Sequence, residues 1–385
     1  MNRIGLLVFC GAVLVAFLRL QGRAQPKTPP KLPPAAQPAP PAAKPTLPPV
    51  KPKTPPKVYQ KLLPFKYRRR WGFMDPSGRI VINPRYYWVF QFSEGMAMVR
   101  GRDFKCGYID ERGHLVIPYL YDGGSTFSQG RTFVNNEGQF GYIDRKGQPI
   151  TKFEFAEARN FRESFACVRV GGERVGVKVQ GGKCGYVNLA GQLAIQAQFE
   201  EAGSFSEGLA AVKAGGKWGY IDPTGRYVIP AAFTNAGAFR AGLAPVQVGG
   251  VAEDKWGYIN AKGETVIDPI YDEARPFSEG LACVKIAGKI GYVNVGGKLA
   301  IEPRFDFARD FHEGMAVIGI KDKRGYIDTS GKIVVEARFD DARDFCHGLG
   351  MVRLGGTYFN DLMGRSNVRV GYVKKSGTYL RYPHD

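Results

Sequence analysis

The chain has 385 residues, among them 50 Gly, 25 Phe and 19 Tyr, and outside its N-terminus no stretch repeats apolar residues at helical spacing, which excludes a helical bundle. The net charge of +19 is uneven: residues 1–70 carry 14 Lys or Arg and no acid, leaving 40 basic against 35 acidic residues in the remainder. That near balance excludes the broadly basic surface of a nucleic-acid binder and places the basic excess in a leader and tail.

In chain order, Asn2 and Arg3 precede an uncharged apolar run from Ile4 to Leu18, followed by Gly22-Arg23-Ala24. This is the layout of a secretory signal peptide over residues 1–24, with an uncleaved anchor as the alternative. It predicts export to the periplasm, cell envelope or medium, with proximity to a membrane through the N-terminus. Residues 25–57 hold 14 Pro and six Lys and no acid. Such a segment cannot bury a core, so an extended, disordered linker is expected.

From residue 58 onward the chain is read as one repeat domain. A Gly that follows Trp or its replacement falls at 72, 107, 141, 185, 219, 257, 291, 325 and 371. A period of about 34 residues signals a repeat array of eight full units and a partial ninth. The clearest copy starts at Trp218-Gly219-Tyr220-Ile221, a short strand, and continues into the tight turn Asp222-Pro223-Thr224-Gly225. Asp bonds its own backbone there, and Gly tolerates the left-handed conformation. Asn replaces Asp at positions 188, 260 and 294, as suits a turn former rather than a catalytic acid. A second strand follows (Tyr227-Val228-Ile229), then a bend containing Ala and Phe, then Ser206-Glu207-Gly208-Leu209 or its equivalent, leading into a third strand. A single unit cannot bury its apolar face, whereas stacked neighbours can.

The signature Trp-Gly-[Tyr/Phe]-Ile-Asp-x-x-Gly, followed by Phe-Ser-Glu-Gly-Leu-Ala-x-Val, resembles the WG-repeat family, also called KWG repeats, of bacterial proteins; Lys217-Trp218-Gly219 and Lys255-Trp256-Gly257 carry its core. The likeness covers about residues 71–380 and departs at Cys106, Phe140, Cys184, Ile290, Arg324 and Val370, where Trp is replaced. It implies a β-rich array and supplies no catalytic residue. The fold expected is therefore all-β: tandem β-meander repeats forming a superhelical, solenoid-like array, with a closed eight-bladed propeller as the alternative.

Several rows of side chains recur along the array. The Phe row from Phe92 to Phe345 is the core candidate. The Tyr row, including Tyr220, Tyr258 and Tyr292, either packs or lines a groove that stacks flat ligands. Glu200, Asp272, Asp306 and Asp340 face Arg159, Arg275, Arg309 and Arg343, as a salt-bridge ladder or a charged binding strip. Glu94, Glu207, Glu279 and Glu313 form a third row. Two units are lengthened, at about 171–182 and about 355–369, and insertions in arrays tend to share one, often binding, face. The candidate binding surface is therefore Tyr220, Tyr258, Tyr292, Arg275, Arg309 and Arg343, with Tyr358, Phe359 and Arg365 of the second insertion.

Catalytic and metal motifs are missing from the sequence. The four His lie in no metal spacing, there is no Gly-x-Ser-x-Gly elbow, and no phosphate-binding loop is in frame. Cys106 and Cys184 share one repeat position and Cys167 and Cys283 another, in units that are not consecutive, so free buried thiols are expected. The functional expectation is a non-catalytic binding or scaffold protein without cofactor or metal. Its expected partner is an envelope protein or a polysaccharide such as peptidoglycan, not nucleic acid. The alternatives are an envelope glycan hydrolase using carboxylates near an insertion, and a purely structural spacer.

Overall fold

The computed structural model describes residues 61–67, 69–176, 178–249, 254–355 and 368–380. The chain divides into two units, Met1–Pro55 and Pro56–Asp385, and every described residue belongs to the second. The expected signal peptide and linker, together with Tyr358, Phe359 and Arg365, lie outside the described residues.

The described chain is all strand and turn, and none of it is a helix long and apolar enough to cross a membrane. Its strands form nine successive antiparallel meanders. A representative one runs Glu201–Ala202, Ala210–Ala214, Lys217–Ile221 and Tyr227–Phe233, each strand pairing with the next. The bend expected after the second strand thus contains a two-residue strand of its own, making four strands per unit rather than three. The sheets are also offset from the sequence repeat. The bend and third strand of one copy join the first two strands of the next, so eight copies and a partial ninth build nine meanders, numbered in chain order as the first to ninth sheets. Leu63–Tyr67, upstream of the first Trp-Gly, completes the first sheet by pairing with Arg70–Met74.

The Gly of each Trp-Gly pair has a steric reason. The register slips between Trp218↔Phe233 and Tyr220↔Ile229, a bulge that brings the neighbouring backbone against Gly219. A Cβ there would sit 2.6 Å from Ile229 O and 2.7 Å from Ala231 N. The third unit departs from the pattern: Ile143↔Pro149 is only an isolated bridge, Ile150 N donates to Tyr142 O at 2.8 Å, and the Thr151 hydroxyl accepts from Tyr142 N at 2.9 Å. Phe140 then pairs with Phe155, fusing the third and fourth meanders into one seven-stranded sheet.

The core is divided among the junctions between units. One cluster joins Tyr220 and Ile229 of the fifth sheet to Phe239, Val246 and Ile259 of the sixth. At roughly 1.5–3 kcal/mol per buried large apolar side chain, each junction gains several kcal/mol that an isolated unit forgoes. The Phe row is buried as expected from Phe127 to Phe345, and Phe92 is partly buried.

The array's two ends meet. One core cluster contains Leu63, Trp71 and Trp88 from the first two sheets and Leu349, Val370 and Tyr372 from the ninth. The Tyr372 hydroxyl donates to Pro64 O at 2.5 Å, 308 residues away in sequence.

Candidate binding surface

The tyrosines form a buried row of anchors. Tyr220, Tyr258 and Tyr292 are fully buried, which removes them from any binding surface. Each sits on the inward face of the third strand of its sheet, edge-on or tilted against Phe239, Phe277 or Phe311, with ring centroids 4.9, 4.9 and 4.8 Å apart. A buried phenol needs a hydrogen-bond partner. The three hydroxyls find carbonyls 17 residues ahead, donating to Gly237 O (2.8 Å), Arg275 O (2.9 Å) and Arg309 O (2.7 Å). Burial pushes all three phenols well above their usual range, so they stay neutral.

Those bonds fix the backbone that presents the arginines. Tyr326 likewise donates to Arg343 O at 2.7 Å, so Arg275, Arg309 and Arg343 each ride on a loop pinned from beneath by a tyrosine. The guanidinium groups of Arg275 and Arg309 point along the array. Arg275 Nη1 lies 3.9 Å from Asp310 Oδ1, and Arg309 Nη1 lies 3.7 Å from Asp344 Oδ2. His312 Nε2 is 3.9 Å from Asp344 Oδ2. Burial raises the Asp310 carboxyl, with Arg275 and His312 acting in the opposite direction.

The ladder thus uses aspartates the sequence reading passed over. The acidic row it named is engaged elsewhere. Asp272, Asp306 and Asp340 take lysines of their own sheets, Lys255, Lys289 and Lys323, at 2.7, 2.6 and 2.6 Å. Asp306 and Asp340 also accept backbone N–H groups of the facing hairpin, from Lys321 and Gly355. Asp310 and Asp344 were detectable as the third residue of Ala-Arg-Asp-Phe, present twice. Their role required knowing that consecutive copies of that loop adjoin.

The Glu row is structural too. In Ser206-Glu207-Gly208-Leu209 both central residues have positive φ, 55° and 79°, a two-residue hairpin turn. Glu is costly there, and its carboxylate offsets the cost by bridging to the next unit. Glu279 accepts from Glu313 N (2.6 Å) and Gly314 N (2.7 Å), and Glu313 accepts from His347 N and Gly348 N.

Where the ends of the array meet lies a cavity of about 660 Å³. Trp71, Trp88 and Phe90 give it an aromatic wall, while Arg309, Arg343 and Asp344 bring polar groups to it. Asp341 also lines it, held by the buried Arg353 at 2.7 Å. Asp344 Oδ1 is buried without a hydrogen-bond donor among the described residues. Two predicted arginines, Arg309 and Arg343, therefore come together at one concavity. Arg275 stands farther along the same ladder and does not line it. Among the described residues no cluster of three or more His, Cys, Asp or Glu could hold a metal ion.

A family model described as "WG containing repeat" matches residues 71–100, 107–139, 140–173, 185–218, 218–251, 256–289, 290–323 and 325–358. The chain belongs to the WG-repeat family. That family is a repeat domain without a known catalytic role, and the WG-repeat fold here is the tandem β-meander array its sequence implied. No curated protein matches the chain. Among solved structures it is similar to the tricorn protease, at 12% identity over 79% of this chain and 36% of that one, with a TM-score of 0.29. It is also similar to an extracellular domain assigned to a hybrid two-component system, BT3049, of B. thetaiotaomicron, at 11% identity, 84% and 50% coverage and a TM-score of 0.26. The chain spans half the length of those structures or less.

Proposed function

We propose that this WG-repeat protein is an exported, non-catalytic binding or scaffold module of the cell envelope that holds an envelope protein or polysaccharide at the Arg309–Arg343 end of its arginine ladder. The carrying observation is the cavity between the array's ends, whose lining contains both arginines and the aromatic residues Trp71, Trp88 and Phe90. Aromatic faces with a few fixed polar groups suit a ligand that is flat on one side and rich in hydroxyl or amide donors on the other. Most of the recurrent carboxylates are occupied in holding turns and neighbouring units, which argues for scaffolding over chemistry.

The test is co-sedimentation of the full-length protein with purified peptidoglycan, alongside capture from envelope extract. An Arg309→Ala/Arg343→Ala double variant is expected to bind at least about tenfold more weakly at unchanged melting temperature, since partly exposed ion pairs carry little stability. Equal binding by the variant, or no retention of the parent protein on either material, overturns the reading. The hydrolase alternative rests on Asp341 and Asp344 lining the same cavity, since glycosidases need two carboxylates in one pocket. Release of reducing ends from peptidoglycan, abolished by Asp344→Asn, would favour it.

A further inference from the structure

Cys167 and Cys184 occupy different repeat positions, and comparing equivalent positions in different units conceals that they face each other. They lie on adjoining strands of one sheet, Phe165–Val170 and Lys183–Asn188, where Cys167 pairs with Tyr186 and Arg169 with Cys184. That register makes the two thiols diagonal neighbours on one face, where Cys167 Sγ donates to Ala202 O at 3.5 Å and Cys184 Sγ to Glu200 O at 3.9 Å. The same diagonal in the third unit joins Phe133 and Phe140, whose rings touch at 5.7 Å. Elsewhere one thiol is missing. Cys106 has Met98 at the facing position and Cys283 has Ile290. Among the described residues only the fourth unit carries both.

The surroundings suit thiol chemistry. A small cavity of about 60 Å³ is lined by Cys167, Cys184, Arg159, Arg169, Glu157 and Trp218, room for a molecule slightly larger than water. The neighbouring Cys167 thiol lowers the Cys184 thiol, assisted by Arg169 and Arg159 against the opposing effect of burial. The neighbouring Cys184, with burial, raises Cys167. Arg169 is held by Glu157 at 2.7 Å and by the carbonyls of Glu200 and Gly181 at 3.1 and 3.2 Å, so its charge stays beside the sulfurs.

We infer that Cys167 and Cys184 form a peroxide-reactive dithiol that closes reversibly to a disulfide at the base of the inserted hairpin. The Cys184 thiolate attacks one oxygen of hydrogen peroxide: an S–O bond forms, the O–O bond breaks, and the departing hydroxide takes a proton to become water. Cys167 sulfur then attacks the sulfenic acid. An S–S bond forms, the S–O bond breaks, and the Cys167 proton leaves with the hydroxyl as a second water. Two thiols lose two electrons and one peroxide becomes two waters. Diagonal neighbours lie about 7–8 Å apart, beyond the usual disulfide reach, so the two strands must shift for the bond to close, and the resulting bond is strained and readily reduced. The joined strands are those from which the hairpin Glu173–Val175/Lys178–Gln180 emerges, so oxidation staples its base.

The test uses the full-length protein, hydrogen peroxide and a thiol alkylator at pH 7, read by peptide mass spectrometry. Cys184 is expected to alkylate at least about tenfold faster than Cys106 or Cys283. Peroxide should yield a Cys167–Cys184 bridge that dithiothreitol reverses, with Cys106 and Cys283 still reduced. Cys167→Ser should leave Cys184 trapped as sulfenic acid, detectable with a dimedone probe, and Cys184→Ser should abolish peroxide consumption. Ser is nearly isosteric, so circular dichroism confirms that both variants remain folded. A folded protein in which Cys184 alkylates no faster than Cys283, or in which peroxide forms no 167–184 bridge, overturns the inference.

Discussion

At the residue scale, the glycines and glutamates of the repeat answer geometric demands that no other side chain meets without cost. Gly219 lies under the backbone of a bulged strand, and the added methyl of Gly219→Ala would press on main-chain atoms that cannot rotate away. A loss of about 1–3 kcal/mol is expected, measurable as a lowered midpoint in urea. Glu279 shows the opposite trade: a left-handed residue retained for its carboxylate. Glu279→Ala keeps the strained turn and frees two N–H groups of the next unit, costing about 1 kcal/mol. Glu279→Asn also loses the bridge but eases the turn and should cost less; equal losses in the two variants would show that the strain plays no part. At the equivalent place in the sixth unit, Ala241 already lacks the bridge, a natural weak point between neighbours.

At the scale of the element, turns and hairpins carry the pH dependence. Asp222 accepts from Thr224 N at 2.8 Å and Arg226 N at 3.1 Å, and its carboxyl lies below the usual range, chiefly through the Thr224 hydroxyl. Asp75 and Asp328 are lowered in the same way through the Ser77 and Ser330 hydroxyls, Asp75 to about 2, while Asp272 and Asp306 are lowered chiefly by the Lys255 and Lys289 ammonium groups. For each, the folded value lies below the unfolded one near 3.9, so the unfolded chain binds more protons in between. The stability they lend is complete above about pH 4 and is lost as pH falls toward about 2. Acid titration followed by tryptophan fluorescence should show its transition in that window. Asp222→Asn/Asp328→Asn should move it to lower pH while changing stability at pH 7 little, because Asn already serves this turn in three units. Being solvent-exposed, these groups contribute modestly one by one.

At the scale of the whole molecule, closure decides stability and sets up the binding cavity. Tyr372→Phe leaves the buried Pro64 carbonyl without its donor, a cost of about 1–3 kcal/mol. Because that bond joins the first sheet to the ninth, the loss should appear as raised hydrogen exchange in both Leu63–Tyr67 and Arg369–Lys374 while the central units stay protected; uniform loss along the array would argue against a distinct seam. The period, the Asx turns, the bulge glycines and the Phe core are all local or periodic, and each could be read from the amino acids because strand alternation and turn stereochemistry act over a few residues. The Tyr row illustrates the limit: its spacing was legible, but whether the phenols faced ligand or carbonyl depended on the chain returning 17 residues later. The partners of Arg275 and Arg309, the Cys167–Cys184 contact and the Trp71–Arg343 cavity lay beyond the sequence, because they depend on which unit abuts which and on how much each junction turns. By itself the sequence determined the repeat and its turns; only the tertiary structure, by adding up those rotations until the ends touched, decided where aromatic and charged groups converge.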